Sequence, residues 1–593
     1  MKYKLLLLLV GLTSVLYAQG FTNYNQLWGT YVGSQLISEA GDFHKDEQGN
    51  IIFVGPTLVH SETFRNPLVY NYYKDFTFPV SDELMFSPND VLATYIAKFS
   101  PEGVLLSARY VPYFIHEVTV TSNHELILEA RVHRNDLGTE NTWFPSPVFD
   151  RENRYPVLMK LNQNLEVVWT TYLPNNVTYF DNSKIVVDEI GNIYGLGETT
   201  IESGVATPGA FYTNFTYDLN REQVTKPNNG FIYKLNPNGQ IEWCTYYGAS
   251  RPTSLVLKNN ELLVAFEKVD QVADYFPAIT PNANQHIRSN SVLAKFNTST
   301  GNRIYATYFG EGEKMYIGSL KDNGDYIYVN GYTQELDNPL NYITANAYQP
   351  EFGGGYSDIY LAKLDLNFNV VWGTYFGGTD FDLNGNYYNS ELKFLNNHFY
   401  IIGISGSSNF MNEGVVLNPS NSGLHDVLIS KFNLNGDLVW GTLFGGQNED
   451  YVDNIIVQDD KTFYISGATY STDRITTTGS HQPNFNIFSN YNALQNHFIA
   501  KFGEEKPLST GDLSSTSLKI YPNPAKDKVY IKGFIHQDSW IEVYNLVGQK
   551  VITQKAKSGL SQEIEVQFLP KGTYIIKATD INGKPFQEKL LIN

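Results

Sequence analysis

One short phrase returns at a nearly fixed interval along this 593-residue chain, and that repetition limits its fold more than any other feature. "VVWGTYFGG" (370–378) and "LVWGTLFGG" (438–446) are its best copies, and weaker ones begin at Trp28, Ser107, Trp169, Trp243 and Tyr305. A second phrase precedes all but the first copy: an apolar strand ending in Lys-Phe or Lys-Leu, then a turn such as "NPNG". Its lysines are Lys98, Lys160, Lys234, Lys295, Lys363, Lys431 and Lys501, spaced 62, 74, 61, 68, 68 and 70 residues apart. A third phrase lies between them, a polar turn and an alternating strand ending in Gly, as in "DNGDYIYVNGYT" (322–333) and "DEIGNIYGLGET" (188–199). A unit of this length with several strands and no 3.6-residue apolar stripe matches a propeller blade of four antiparallel strands.

The strands agree with that reading. In "DIYLAKL" (358–364), Ile359 and Leu361 face one way while Tyr360, Ala362 and Leu364 face the other. A sheet with one wet face would alternate apolar and polar, so this one is expected to lie between two neighbouring sheets. The repeat is also out of phase with the chain ends. Trp28 opens the array without a Lys strand, and Lys501 closes it without an aromatic strand. Pairing residues 28–32 with 496–502 would complete a seventh blade and remove both open edges. The expected fold is all-β, a seven-bladed β-propeller over 19–502 followed by a small immunoglobulin-like β-sandwich. On this reading Trp28, Trp169, Trp243, Tyr305, Trp372 and Trp440 are packing residues between blades rather than a sugar-stacking platform, because they repeat at one register.

The chain opens "MKYKLLLLLVGLTSVLYAQG", with Lys2 and Lys4, a short apolar run and Ala18 before a polar turn. These are the parts of a secretory signal peptide over 1–18, too short for a membrane anchor, and no other stretch is apolar enough to span a bilayer. Cys244 is the single cysteine, so an exported chain must rely on core packing rather than an internal disulfide. Its place inside a strand phrase makes it a small buried hydrophobe rather than a nucleophile. Net charge is −19, which argues against a nucleic-acid partner. It is unevenly spread: residues 517–593 carry 11 Lys against 7 acids, whereas 19–516 carry 29 basic against 54 acidic residues. The sign change marks a boundary, with "GEEKPLSTGDLSST" (503–516) as linker and 517–593 as a second domain.

Two family resemblances rest on these residues. "ITANAYQPEFGGGYSDIYLAKLD" (343–365), together with the W-G-T-Y-F-G-G phrase, resembles the bacterial SBBP-type β-propeller repeat over about 27–502, a family defined by architecture and implying no particular reaction. The last domain resembles the type A carboxyl-terminal sorting domain of the type IX secretion system of Bacteroidota. "YPNPAKD" (521–527), "VYNLVGQKV" (543–551), "LPKGTYIIK" (569–577) and "EKLLIN" (588–593) carry that likeness. Its marker residues here are Tyr521, Pro522, Asn523, Pro524, Gly548, Gly572 and Tyr574. The resemblance implies handling by the type IX machinery, transport across the outer membrane, and release or attachment at the cell surface.

No catalytic, cofactor or metal site is expected. "GISGS" (403–407) lacks the Gly that completes a nucleophile elbow, and "GLGETT" (195–200) lacks the third Gly and the helix of a phosphate loop. Asp382, Asn384 and Asn386 have calcium-loop spacing, but Tyr387 stands where the tight-turn Gly belongs, which favours a plain Asn-rich turn. His44, His60, His116 and His124 are scattered. Asp358 and Asp426 share one repeat position and read as blade-capping hydrogen-bond acceptors. The irregular stretches 58–92, 132–157 and 201–230 are expected to overhang the disc. The chain thus reads as an exported, non-enzymatic binding, adhesion or scaffold protein, its ligand an unidentified polysaccharide or protein. A secreted carbohydrate-active or other hydrolytic propeller enzyme is the alternative, and a structural surface-layer component a third reading.

Overall fold

Residues 358–364 show how the chain is layered. Ile359 and Leu361 pack with Trp372, Phe399 and Leu428, whereas Tyr360, Ala362 and Leu364 pack with Val256, Leu293 and Phe309 in a separate cluster. The sheet is therefore enclosed on both faces, as its pattern requires. The computed structural model describes residues 24–592 except 33–41, 47–48, 61–84, 88–89, 112–113, 124, 133–134, 148–154, 163–165, 175–183, 216–227, 269–278, 385–391, 408–422, 486–494, 505–518, 533–539, 557–560 and 580–584. The expected signal peptide at 1–18 lies outside these residues. The chain divides into two units, Met1–Glu504 and Glu505–Asn593.

Seven antiparallel sheets of four or five strands build the first unit. The first contains Asp42–Lys45, Ile51–His60, Asp90–Phe99 and Leu105–Val111, with Met85–Ser87 at its side. The second contains Phe114–Val120, Leu126–Val132, Tyr155–Leu161 and Val167–Tyr172. The third runs from Lys184–Val187 through Ile193–Thr199 and Asn229–Leu235 to Ile241–Tyr246, and the fourth from Ser250–Lys258 to Arg303–Phe309. The fifth comprises Met315–Asn323, Tyr326–Thr333, Asp358–Asp365 and Val370–Phe376. The sixth holds Asp382–Asn384, Leu392–Leu395, His398–Ser405, Asp426–Asn433 and Leu438–Phe444. The seventh takes Asp450–Asp459, Thr462–Thr469 and Asn496–Glu504 from one end of the unit and Tyr24–Val32 from the other.

A separate apolar cluster fills each of the seven seams between consecutive sheets, and the cluster of Trp28, Val32, Tyr464 and Ile499 with Phe43, Ile51, Phe53 and Tyr95 joins the seventh sheet to the first. The ring is thereby closed, an all-β propeller whose core lies between blades. Its closing pair sets Trp28 opposite Lys501 and Tyr31 opposite Phe498, as the phase of the repeat requires. The same Lys-to-aromatic register recurs inside the other blades, for example Lys234 with Trp243 and Lys363 with Trp372, each followed by a bulge. The strand runs to Glu504, so Gly503 and Glu504 belong to the ring rather than to the expected linker, whose residues 505–516 lie outside the described ones.

The indoles tie each blade to the next. Trp28, Trp169, Trp243 and Trp372 donate their Nε1–H to the carbonyls of Pro101, Pro237, Thr298 and Leu434, at 2.9–3.1 Å, each in the hairpin turn of the following blade. The turn glycine must lie flat on the ring: Gly436 has φ +89°, and a Cβ there would come within 3.0 Å of Trp372. Tyr305 replaces Trp in the fourth blade, and there the following turn has Phe368 at φ 62°, its ring centroid 6.1 Å from that of Tyr305.

The stretches 132–157 and 201–230 do not simply overhang. Their described parts run back along the outer, fourth strand of the blade. Thr139 and Thr207 donate N–H to the carbonyls of Thr170 and Cys244, and five residues later Phe144 and Tyr212 donate to the hydroxyls of Thr171 and Thr245. Thr280 with Gln285, Thr344 with Gln349 and Thr477 with Gln482 repeat the device in three further blades. An exposed strand edge carries unpaired N–H and C=O groups, and these loops cover it.

In the second unit, Lys519–Tyr521, Lys528–Lys532 and Ser561–Glu565 form one sheet, and Trp540–Asn545, Lys550–Lys555, Gly572–Thr579 and Pro585–Ile592 form another. Ile520, Val529, Ile531, Ile541, Val543, Ile564, Ile576 and Leu590 from both sheets share one core, which makes the unit a β-sandwich. Trp243→Phe keeps the ring but removes the hydrogen bond to Thr298 and leaves a buried carbonyl unpaired. It is expected to lower stability by about 1–3 kcal/mol in denaturant unfolding followed by intrinsic fluorescence.

Candidate functional site

Fully buried acids mark the two seams that flank the sixth blade. Asp358 begins the third strand of the fifth blade and Asp382 the first strand of the sixth; Asp426 and Asp450 hold the same positions one blade further on, and all four are 0% exposed. Asp382 accepts the Gly378 N–H at 2.8 Å, the Ser407 hydroxyl at 2.7 Å and the Ser405 hydroxyl. Asp450 accepts the Gly446 N–H at 2.8 Å, the Ser471 hydroxyl at 2.9 Å and the Thr469 hydroxyl. Asp358 accepts the Gly353 N–H at 2.7 Å and the Gln349 Nε2–H at 3.1 Å through Oδ2. It is thus the hydrogen-bond acceptor its repeat position suggests. Burial pushes Asp358 and Asp450 up to about 7 and Asp382 up to about 6, against the lowering effect of these hydrogen bonds. Asp382 adds to the shift of Asp358, and Asp426 to that of Asp450.

Ser405 and Ser407 of "GISGS" are thus committed to Asp382, and residues 195–199 of "GLGETT" end a strand. Asp382 and Asn384 lie in a strand rather than a calcium loop, and Asn386 is outside the described residues. Cys244 is buried, which drives its thiol well above the usual range. Of the four histidines considered above, His44 has a described side chain on an edge strand, while His124 lies outside the described residues. Among the described residues no three His, Cys, Asp or Glu side chains converge as a metal-binding group.

At the same ends of blades five to seven, an aromatic file reaches solvent. Tyr356 is 64% exposed and lies 6.2 Å from Phe381, at an interplanar angle of 33°. Phe381 is 5.3 Å from His425, whose Nδ1 is 4.0 Å from Glu449. The Tyr451 hydroxyl donates to Glu449 at 2.8 Å. Beside Tyr356 opens a cleft of about 600 Å³, lined by Lys314, Gln334, Glu335, Leu336, Asp337, Phe352 and Gly355. Lys314 holds Asp337 at 2.7 Å, and Glu311 accepts the N–H groups of Asp337 and Asn338, so the wall is fixed by charge. Tyr356, Phe381 and His425 come from three different connections, which is why the repeat gives no sign of the file. The buried acids did leave a signal: only two copies of the aromatic phrase read F-G-G, and each has Asp four residues after its second Gly.

In the sandwich, Asn523 clamps the last strand, its Nδ2 donating to the Lys589 carbonyl at 2.7 Å and its Oδ1 accepting the Leu591 N–H at 2.8 Å. It stands between Pro522 and Pro524, each preceded by a cis peptide bond. Tyr521 stacks on Tyr530, and the Tyr574 hydroxyl donates to the Pro570 carbonyl. Gly548 takes φ +79° in the turn between Trp540–Asn545 and Lys550–Lys555, and Gly572 begins the strand that carries Tyr574.

A carboxyl raised in the folded state keeps an extra proton there. The stability it contributes is full below about pH 4 and is lost as pH rises through the folded value. In metal-free buffer the ring is therefore expected to melt at a lower temperature at pH 8 than at pH 5. Asp358→Asn/Asp450→Asn, which removes the two carboxyls raised furthest, should shrink that difference, and equal wild-type melting at both values would contradict it.

No curated protein matches the chain. Among solved structures, the chain is similar to a protein of unknown function from Bacteroides caccae, with 11% identity over 48% of this chain and 77% of that one and a TM-score of 0.26. It is similar to the endosialidase of phage phi92 at 10% identity, 96% and 88% coverage and a TM-score of 0.33. A polysaccharide lyase, an ulvan lyase of family PL25, matches at 9% identity, 80% and 92% coverage and a TM-score of 0.30. Overlaps this loose say nothing about activity. Residues 519–593 match the family described as the secretion system C-terminal sorting domain. The end of the chain is therefore a type IX secretion sorting domain, which directs export across the outer membrane to the cell surface or beyond.

Proposed function

We propose that the ring is a non-enzymatic binding module of the SBBP-repeat type, which the leader at 1–18 and the sorting domain deliver outside the cell for adhesion, matrix contact or capture of a polysaccharide. The observation that carries the export half is the sorting domain at 519–593. The binding half rests on the file of exposed Tyr356 and half-buried Phe381 and His425 beside the cleft at Lys314, with Glu449 at its end. Flat apolar rings with flanking hydrogen-bonding groups suit the alternating faces and hydroxyl rims of sugar residues.

A hydrolase is the second reading, favoured by carboxyls raised to about 6–7, the range a general acid needs. Asp358 and Asp382 are 0% exposed, however, which keeps substrate from their carboxyls as the ring stands. A screen of the mature chain against polysaccharides separates the readings, since saturable binding without products supports the module and turnover supports the enzyme. Tyr356→Ala and Phe381→Ala should each weaken binding of a captured polysaccharide by about tenfold, roughly 1.4 kcal/mol. Unchanged affinity in both would place the ligand elsewhere. Deleting 519–593 should leave the ring inside the outer membrane, checked by surface labelling of intact cells.

A further inference from the structure

The double Gly of the two best repeats and the buried Asp pairs occupy the same two seams. A Cβ on Gly445 would lie 2.5 Å from Asp450 Oδ2 and 2.6 Å from Asp426 Oδ1, so only Gly lets the backbone pass between them. The same distances bring the two carboxylate oxygens to within about 5 Å of each other, the span that one calcium ion bridges with bonds of roughly 2.3–2.6 Å. In the preceding seam a Cβ on Gly377 would lie 2.4 Å from Asp358 Oδ1, while the next residue, Gly378, donates its N–H to Asp382. Asp358 Oδ1 is buried, has no hydrogen-bond partner and points at this junction. A bare carboxylate oxygen at 0% exposure needs a counter-charge, and the partners of the Asp358, Asp382 and Asp450 carboxylates are neutral amides, hydroxyls and backbone N–H groups.

We infer that the seam between the fifth and sixth blades, and its copy between the sixth and seventh, each bind one hard divalent cation of the calcium class. Asp358 and Asp382 supply the carboxylates in the first seam, and Asp426 and Asp450 in the second. All the side-chain donors are oxygens, which suits calcium and does not suit zinc or copper. The Ser405 and Ser407 hydroxyls, and those of Thr469 and Ser471, orient the carboxylate nearest the new blade. Backbone and water oxygens complete the shell. Each cation joins two blades that share no covalent bond beyond the connecting chain, at the end of the ring where the aromatic file lies. The site depends on neither the binding nor the catalytic reading of that file.

The test uses the full mature chain, stripped with a chelator and titrated with calcium chloride at pH 8 by calorimetry, with magnesium chloride in parallel. Two equivalents of calcium should bind, magnesium should bind more weakly, and millimolar calcium should raise the melting temperature by about 5 °C or more. Asp358→Asn should leave one equivalent, and Asp358→Asn/Asp426→Asn none. Both variants should melt as wild type does at pH 5 without metal, which shows that they fold. Absence of heat and of any melting shift in wild type overturns the inference and leaves a proton as the counter-charge. Undiminished calcium binding by the double variant overturns it as well.

Discussion

Each seam bearing a tryptophan hydrogen bond is fastened by the same contact, an indole of one blade lying flat under the hairpin turn of the next, with its N–H held by a turn carbonyl. That contact settles how far apart two blades stand and how each is rotated on its neighbour. Two other constants of the repeat accompany it. The lysine stands opposite the indole, and a bulge follows the pair. The turn keeps its glycine because the ring leaves no room for a Cβ. The fourth blade changes both partners together, with Tyr305 against Phe368. With one cysteine in the chain, the seven apolar seams must do what disulfides do in many exported proteins.

Polar chemistry enters where packing is already satisfied, at the strand ends of particular seams. Between the third and fourth blades it is a half-buried pair, Arg251 with Glu198 at 2.9 Å. Between the fourth and fifth it is Asn290 donating to Tyr316, with Lys258 paired to Asp322 at 3.1 Å. Around the sixth blade it becomes buried carboxyls. The frame is thus constant and the ends are individual, the usual division between scaffold and function in repeat folds.

Much of this was legible in the sequence because packing repeats. Trp, Gly and Lys recur at set intervals since every seam poses the same steric problem, so blade count, strand order and the closing pair of Trp28 with Lys501 could be read directly. The loops of 132–157 and 201–230 were harder: Thr139 with Phe144 and Thr207 with Tyr212 keep only a threonine in common, because the second residue acts through its backbone N–H. The aromatic file was hidden for the opposite reason. Tyr356, Phe381 and His425 come from three different connections, and nothing but the folded ring brings them together. The buried acids stood between these cases, since F-G-G followed by Asp is visible but its meaning depends on the neighbouring blade.

The last strand of the ring finds its partner at the other end of the unit. Gln26, for instance, donates to the carbonyl of Ile475, 449 residues away. During synthesis the first strand must wait, unpaired, until six further blades and most of a seventh have emerged. Contacts between residues this distant form slowly, because the loop entropy is lost before the contacts can repay it. The ring therefore has a clock. Until residues 496–504 are available to pair with the first strand, it can be only an open arc with unpaired edges. Anything that must keep the chain apart from its neighbours has to act within that interval.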